Sequence, residues 1–189
     1  MKRLAYGTSA IFLIFATLGF TEIKAPVQLQ FTADSPDHAK AAAEYEQIWA
    51  AEGGRIIQAL EDESGLRFNE NNIQVIVLEE ASSSGFRAIP MRLRASYPSD
   101  EKKATLIHEL GHRLQGHLFK KDEESHPYLF LFLYDVWTQL YGQEFADQQV
   151  KVESARKGLY DYESAWKDAL QLTQAERKAK WQEFLATHR

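Results

Sequence analysis

The sequence contains no cysteine, and this absence narrows the chemistry that is open to the chain. Disulfide-bonded scaffolds, Cys-ligated zinc, iron–sulfur clusters and thiol nucleophiles are all excluded. A lipid-modified N-terminal Cys is excluded for the same reason. Any metal ion must therefore be bound by His, Asp or Glu.

Clusters of basic residues are absent too. The chain has 22 Lys and Arg against 27 Asp and Glu, a formal net charge of −5, and no run of Lys and Arg longer than two residues. Proteins that bind nucleic acid neutralise its phosphates with a basic patch or stripe, so the sequence predicts no nucleic-acid partner. The overall composition, with 44% hydrophobic and 26% charged residues over 189 positions, is typical of one globular domain.

The first twenty residues have the layout of an export signal. A basic pair follows the initiator Met, and residues 4–20 are uncharged and mostly apolar. Residues 1–20 are therefore predicted to be a signal peptide that is cut after Gly19, or an uncleaved N-terminal membrane anchor. The prediction places the domain of residues 21–189 in the periplasm, outside the cell, or at the membrane surface.

The pattern beyond this segment predicts a helix, two strands and then a series of helices. Ser35 followed by Pro36 predicts the start of the first helix, and Gly65 its end. A β-branched run over residues 73–78 predicts one strand, and partial alternation over residues 86–97 predicts a second with one polar face. The predicted later helices span Ser99 to about Phe119, 127–142 and 143–157, one that opens at Asp161, and one that begins with a capping box of Thr173 and Glu176.

The chemistry of the chain centres on the run His-Glu-Leu-Gly-His at residues 108–112, inside the predicted helix that begins at Ser99. Residues four apart lie on one face of a helix, so the imidazoles of His108 and His112 can bind one metal ion. Glu109 lies beside the first histidine, where its carboxylate can take a proton from a water held by that ion. Apolar residues flank the pair, which predicts a buried position where neutral imidazoles need partners.

This run resembles the active-site helix of the zincin metallopeptidases. The resemblance implies a Zn²⁺ cofactor that His108 and His112 bind, with Glu109 as the catalytic base. It also implies an α+β zincin-like fold, with a small antiparallel sheet, the active-site helix and a mostly helical C-terminal half. Zincins hold an extended substrate on an antiparallel edge strand that precedes this helix, and residues 86–97 have the position of that strand.

The third metal ligand defines the subgroup of zincins. In the metzincins it is a His at a fixed spacing beyond a Gly, and here Gly116 and His117 are out of that register. The pattern that remains is that of gluzincins and aspzincins, which take a Glu or Asp from the next helix.

Helix geometry then selects among the acidic residues of that next helix. If it begins near Pro127 and returns antiparallel, a residue roughly seven to eight positions later is level with the metal. That residue is Asp135, the only charged side chain in residues 127–141. A carboxylate in such apolar surroundings must bind a metal, be protonated, or form a core ion pair with Arg113 or another cation. Glu144 is the alternative third ligand.

A zincin also needs a donor that stabilises the oxyanion of the tetrahedral intermediate, commonly a Tyr or His. The sequence offers several candidates without ranking them: Tyr134, Tyr141, His126, Tyr160 and Arg94.

The sequence therefore predicts a zinc-dependent metallopeptidase that hydrolyses peptide bonds of a peptide or protein substrate. The alternative is a catalytically inactive, zincin-like metal-binding or interaction protein of the cell envelope. A third hypothesis is a membrane-anchored helical interaction module whose histidine pair binds no metal.

Overall fold

A small sheet and a larger helical part make up the α+β fold of the chain. The structure is a computed structural model that describes residues 27–120, 123–158 and 160–188. The predicted export signal and its cleavage after Gly19 lie outside the described residues. Among the residues that are described, no helix is both long and apolar enough to cross a membrane.

The sheet has three strands in the order β1-β2-β3, and both strand pairs are parallel. The strands are β1 (Gln28–Ala33), β2 (Asn72–Leu78) and β3 (Met91–Arg94). The prediction of an antiparallel sheet is therefore wrong. The strands are parallel because of the connections between them. The long helix between β1 and β2 and the loop between β2 and β3 each return the chain to the end of the sheet at which the previous strand began.

Strand β1 was not predicted, although its sequence carries a strand signal. Leu29, Phe31 and Ala33 alternate with polar residues, which is the period of two that half-buried strands show. Leu29 is buried, and Phe31 and Ala33 pack against the core. The run is only six residues long and the Ser-Pro helix start follows closely, so the pattern in this region favours a helix over a strand.

The helices follow the predicted series closely. The first is α1 (Ala39–Ser64), which a short 3₁₀ turn at Pro36–His38 precedes and Gly65 ends in the left-handed conformation. The capping box before the last helix is also present, with the Glu176 backbone N–H donating to the Thr173 hydroxyl. The other helices are α2 (Ser99–Gln115), α3 (His126–Tyr141), α4 (Gln143–Ser154), α5 (Tyr162–Leu170) and α6 (Gln174–His188).

Helix α3 is the centre of the helical part, and it packs against α1, α2, α4, α5 and α6. Its apolar run, residues 129–133, is buried throughout. The ring of Trp166 from α5 stacks on Phe130 of α3 with centroids 3.8 Å apart. This packing holds the first turn of α3 beside α2, which is where the candidate site residues lie.

Candidate metal centre

Three histidines meet where the start of α3 approaches α2. They are His108 and His112 on α2 and His126, the first residue of α3. Their candidate ligand atoms all lie within 4.8 Å of one another, and the Nε2 atoms of His108 and His112 are 3.0 Å apart. The one-turn spacing of the first pair brings those two imidazoles together, as the sequence predicted.

Each of the three imidazoles has a hydrogen-bond partner on its Nδ1 atom. His108 Nδ1 lies 2.8 Å from the Glu153 carboxylate, and His126 Nδ1 lies 2.5 Å from the Glu124 carboxylate. His112 Nδ1 is 3.1 Å from the Ser125 hydroxyl. An ionised carboxylate only accepts, so Nδ1 is the donor in the first two bonds, and in the neutral form of each ring Nε2 then keeps its lone pair. This is how metal-binding histidines are commonly oriented, with the other ring nitrogen held by an outer partner.

Glu153 anchors the outer side of the cluster from α4. The residue is buried, and its second carboxylate oxygen accepts a hydrogen bond from the Trp166 indole at 2.9 Å. The guanidinium of Arg156 lies 3.4 Å from the first oxygen. Burial would raise the pKa of Glu153, but the charge and hydrogen bond of His108, with Arg156 and Trp166, outweigh it and lower that pKa.

Burial also sets the protonation of the histidines. It lowers the pKa of His112 well below the ordinary value and, together with the charge of His108, lowers the pKa of His126 to about 4. For His108, burial acts in the same direction, but the Glu153 carboxylate outweighs it and the pKa is raised. Two of the three rings are thus neutral at pH 7, which is the form that binds a metal ion.

Glu109 lies beside the cluster and has no hydrogen-bond partner for its carboxylate among the described residues. Burial raises its pKa to about 7. A buried carboxylate whose pKa lies near neutrality is suited to take up and release a proton.

The cluster opens into a cavity of about 200 Å³. The loop segment of residues 82–84 lines it, and so do Tyr160 and Tyr162. Ser83 pairs antiparallel with Arg92 of β3 through two backbone hydrogen bonds of 2.9 and 2.8 Å. The segment at the sheet edge beside the site is therefore this loop, whereas the predicted edge strand at residues 86–97 contains β3, which lies one position further into the sheet.

Asp135, the predicted third ligand, does not reach the histidines. Its two carboxylate oxygens accept hydrogen bonds from Arg177 of α6 at 3.1 and 2.6 Å, and both residues are buried. The prediction placed the middle of the returning helix beside the two histidines of α2, but it is the first residue of α3, His126, that lies there. Asp135 lies nine residues further along, which is about 13 Å in a helix. The alternative of a core ion pair is what the structure contains, with Arg177 as the cation.

The other predicted candidates are distributed over the molecule. Glu144, the reserve ligand, borders a separate cavity near Tyr141. Among the oxyanion candidates, His126 and Tyr160 line the cavity of the cluster. Tyr134 instead donates to Asp147, and Arg94 lies beside the exposed carboxylate of Glu79.

Sequence reasoning did not identify Glu153, Glu124, Ser125 or Tyr162 as site residues. No sequence signal marked Glu153, because it shares the buried face of α4 with Ala146 and Gln149 and only the alanine is apolar. A carboxylate on the buried face of a helix needs a partner, and here that partner is His108.

Comparison with known proteins identifies no relative of this chain. The chain gives no significant match to protein-family models, to curated proteins or to solved structures.

Proposed function

We propose that the protein is a zinc-dependent peptidase in which His108, His112 and His126 bind the metal and Glu109 is the general base. The observation that carries this proposal is the convergence of three imidazoles whose Nδ1 atoms are all engaged by other groups. Three protein ligands leave a fourth position open, which is the pattern of catalytic rather than structural zinc sites.

The donor set favours a transition metal such as zinc over the cations that prefer oxygen ligands. Imidazole suits Zn²⁺, Cu²⁺, Ni²⁺ and Fe²⁺, whereas Ca²⁺ and Mg²⁺ prefer oxygen ligands. Carboxylates hold the outer ring nitrogens of His108 and His126, which matches the carboxylate–histidine–zinc pattern. When bound, Zn²⁺ would polarise a substrate carbonyl and lower the pKa of a water molecule.

The residues of the chain supply the proton transfers. Glu109 takes the proton of the attacking water, and with a pKa near 7 it can then deliver that proton to the leaving amine. Tyr160 and Tyr162 line the cavity and are candidates for the hydrogen bond that stabilises the oxyanion. Glu153 keeps His108 in the orientation that presents Nε2 to the metal.

The sheet edge at the cavity supports a peptide as the substrate. Ser83 pairs with Arg92 on the outer side of β3, and residues 82–84 line the cavity together with the three histidines. A sheet edge is the surface to which an extended peptide adds as a further strand through main-chain hydrogen bonds. Such a peptide would pass its carbonyl groups across the metal position.

Metal content and hydrolysis of an unfolded protein test this proposal together. Purified wild type is expected to hold about one Zn²⁺ per chain and to hydrolyse the substrate, and Glu109→Gln is expected to keep the metal but lose activity by at least about 100-fold. Glu46→Gln, which changes an exposed carboxylate of α1, is the matched control and should retain both properties.

Each failure has its own meaning. Folded wild type that binds no zinc even after zinc is added would contradict the proposal at its first step. One zinc per chain with no hydrolysis would instead indicate the inactive metal-binding alternative.

A further inference from the structure

A second cavity adjoins the cavity at the three histidines, which we call the metal cavity, and shares a wall with it. Its volume is about 280 Å³, and Glu124, His126, Tyr160 and Tyr162 line both cavities. A substrate whose scissile bond lies at the three histidines would therefore place a neighbouring side chain at the mouth of this second cavity.

The floor of the second cavity is apolar. Leu131 of α3 and Ala165 and Ala169 of α5 form it, and Leu131 and Ala169 are buried. The two alanines are one helical turn apart and face the same way. Their small size creates the space between α3 and α5, and a long aliphatic side chain could fill it.

The rim of the same cavity is acidic. Glu124, Asp161 and Asp168 contribute three carboxylates, and Lys180 is the one cation among the lining residues. Glu124 already accepts from His126, and Asp161 caps α5 by accepting from the Ser164 backbone N–H. Asp168 has no hydrogen bond or ion pair with any other described residue, so its carboxylate is available to a ligand.

We infer that this second cavity binds the side chain of a lysine or arginine next to the cleaved bond of the substrate. The inference rests on the proposed peptidase function. Long basic side chains combine an aliphatic stem, which fits the alanine-lined floor, with a cationic end that remains near water and carboxylates. Asp168 is the residue that selects for the positive charge.

Peptide binding to the zinc-loaded Glu109→Gln protein tests the cavity without requiring turnover. Three peptides are compared that differ at one position, which carries lysine, uncharged norleucine or glutamate. We expect the lysine peptide to bind about fivefold more tightly than the norleucine peptide, the factor of a partly exposed ion pair, and the glutamate peptide to bind most weakly. Adding Asp168→Lys should reverse the order of the lysine and glutamate peptides.

The matched control is Glu163→Lys, which makes the same charge change on the same helix outside the cavity and should leave the order unchanged. A second variant, Ala165→Leu, fills the floor and should weaken the lysine and norleucine peptides alike. Equal binding of the three peptides, or an order that Asp168→Lys does not alter, would overturn the inference.

A hydrolysis assay with zinc-loaded wild type distinguishes a failure of the cavity inference from a failure of the proposed peptidase function. Cleavage without any preference for lysine contradicts the basic-residue cavity but leaves the peptidase intact. Lysine-selective binding that depends on Asp168, without cleavage of any peptide, supports the cavity and contradicts the peptidase.

Discussion

At the scale of single residues, the proposed metal site depends on which residue of α3 is the third ligand. Both His126 and Asp135 belong to α3, but they face different partners. His126 meets the two histidines of α2, whereas Asp135 is paired with Arg177 in the core. Substitutions of the two residues should therefore have opposite effects: one should lower metal affinity and the other should lower stability.

We expect His126→Ala to weaken Zn²⁺ binding by more than about 100-fold, since even the loss of an outer-shell partner can reach that factor. Asp135→Asn should leave the affinity for Zn²⁺ unchanged because its carboxylate lies in the ion pair with Arg177. Competition with a chelator of known affinity measures both. The opposite pattern, with affinity lost in Asp135→Asn alone, would restore the ligand set that the sequence predicted.

The same pair of variants separates stability from metal binding. Breaking one partner of a buried ion pair leaves an uncompensated buried charge and costs about 3–5 kcal/mol. Asp135→Asn should therefore lower the free energy of unfolding in urea by about that amount, and metal-free His126→Ala by much less.

At the scale of elements, one side chain of α2 holds the loop between β2 and β3. Arg113 is buried, and its guanidinium donates two hydrogen bonds to Glu70, at 2.9 and 2.7 Å. Its remaining N–H groups donate to three loop carbonyls, those of Ser84, Arg87 and Ile89. All five donors of the planar fork are in use, so the loop that borders the metal cavity is fixed to the helix that carries the histidines.

We expect Arg113→Lys to lower the free energy of unfolding by about 2–4 kcal/mol, because an ammonium has three donors in place of five and cannot match the bidentate pair with Glu70. Backbone amides of residues 82–90 should exchange faster with solvent deuterium. Arg67→Lys is the control, since that arginine is exposed and its pair with Glu61 can also be formed by lysine, so the change should stay within about 0.5 kcal/mol. Unchanged exchange in the loop would refute the role of Arg113.

The helices could be predicted from the sequence, but the direction of the strands could not. The helices were predictable because their caps are local, as in the bond between Glu176 and Thr173. Likewise, the approach of His108 and His112 follows from helix geometry alone. Strand direction was not predictable, because it depends on how the connections between strands cross the sheet and not on any residue within a strand. The same limit applied to Glu153, which meets His108 only after α4 docks.

At the scale of the whole molecule, metal binding should be linked to folding. A ligand that binds only the folded state at 100 times its dissociation constant adds about 2.7 kcal/mol of stability. For a domain of this size, that corresponds to a rise in melting temperature of about 5–10 °C. We expect this rise when Zn²⁺ is added to metal-free wild type in a calorimetric scan.

The control for this linkage is His112→Ala, which removes one proposed ligand and should abolish the rise. A similar rise in that variant would mean that the zinc ions stabilise the protein through some other site.

The order of the proposed ligands along the chain has a consequence for how the centre assembles. All three lie between residues 108 and 126, and the entropy lost in closing a loop grows only with the logarithm of its length. The contacts among the histidines are therefore local, whereas the carboxylate of Glu153 comes from a later helix. During synthesis we expect α2 and the start of α3 to be able to capture a metal ion first, and the arrival of α4 to fix the orientation of His108 last.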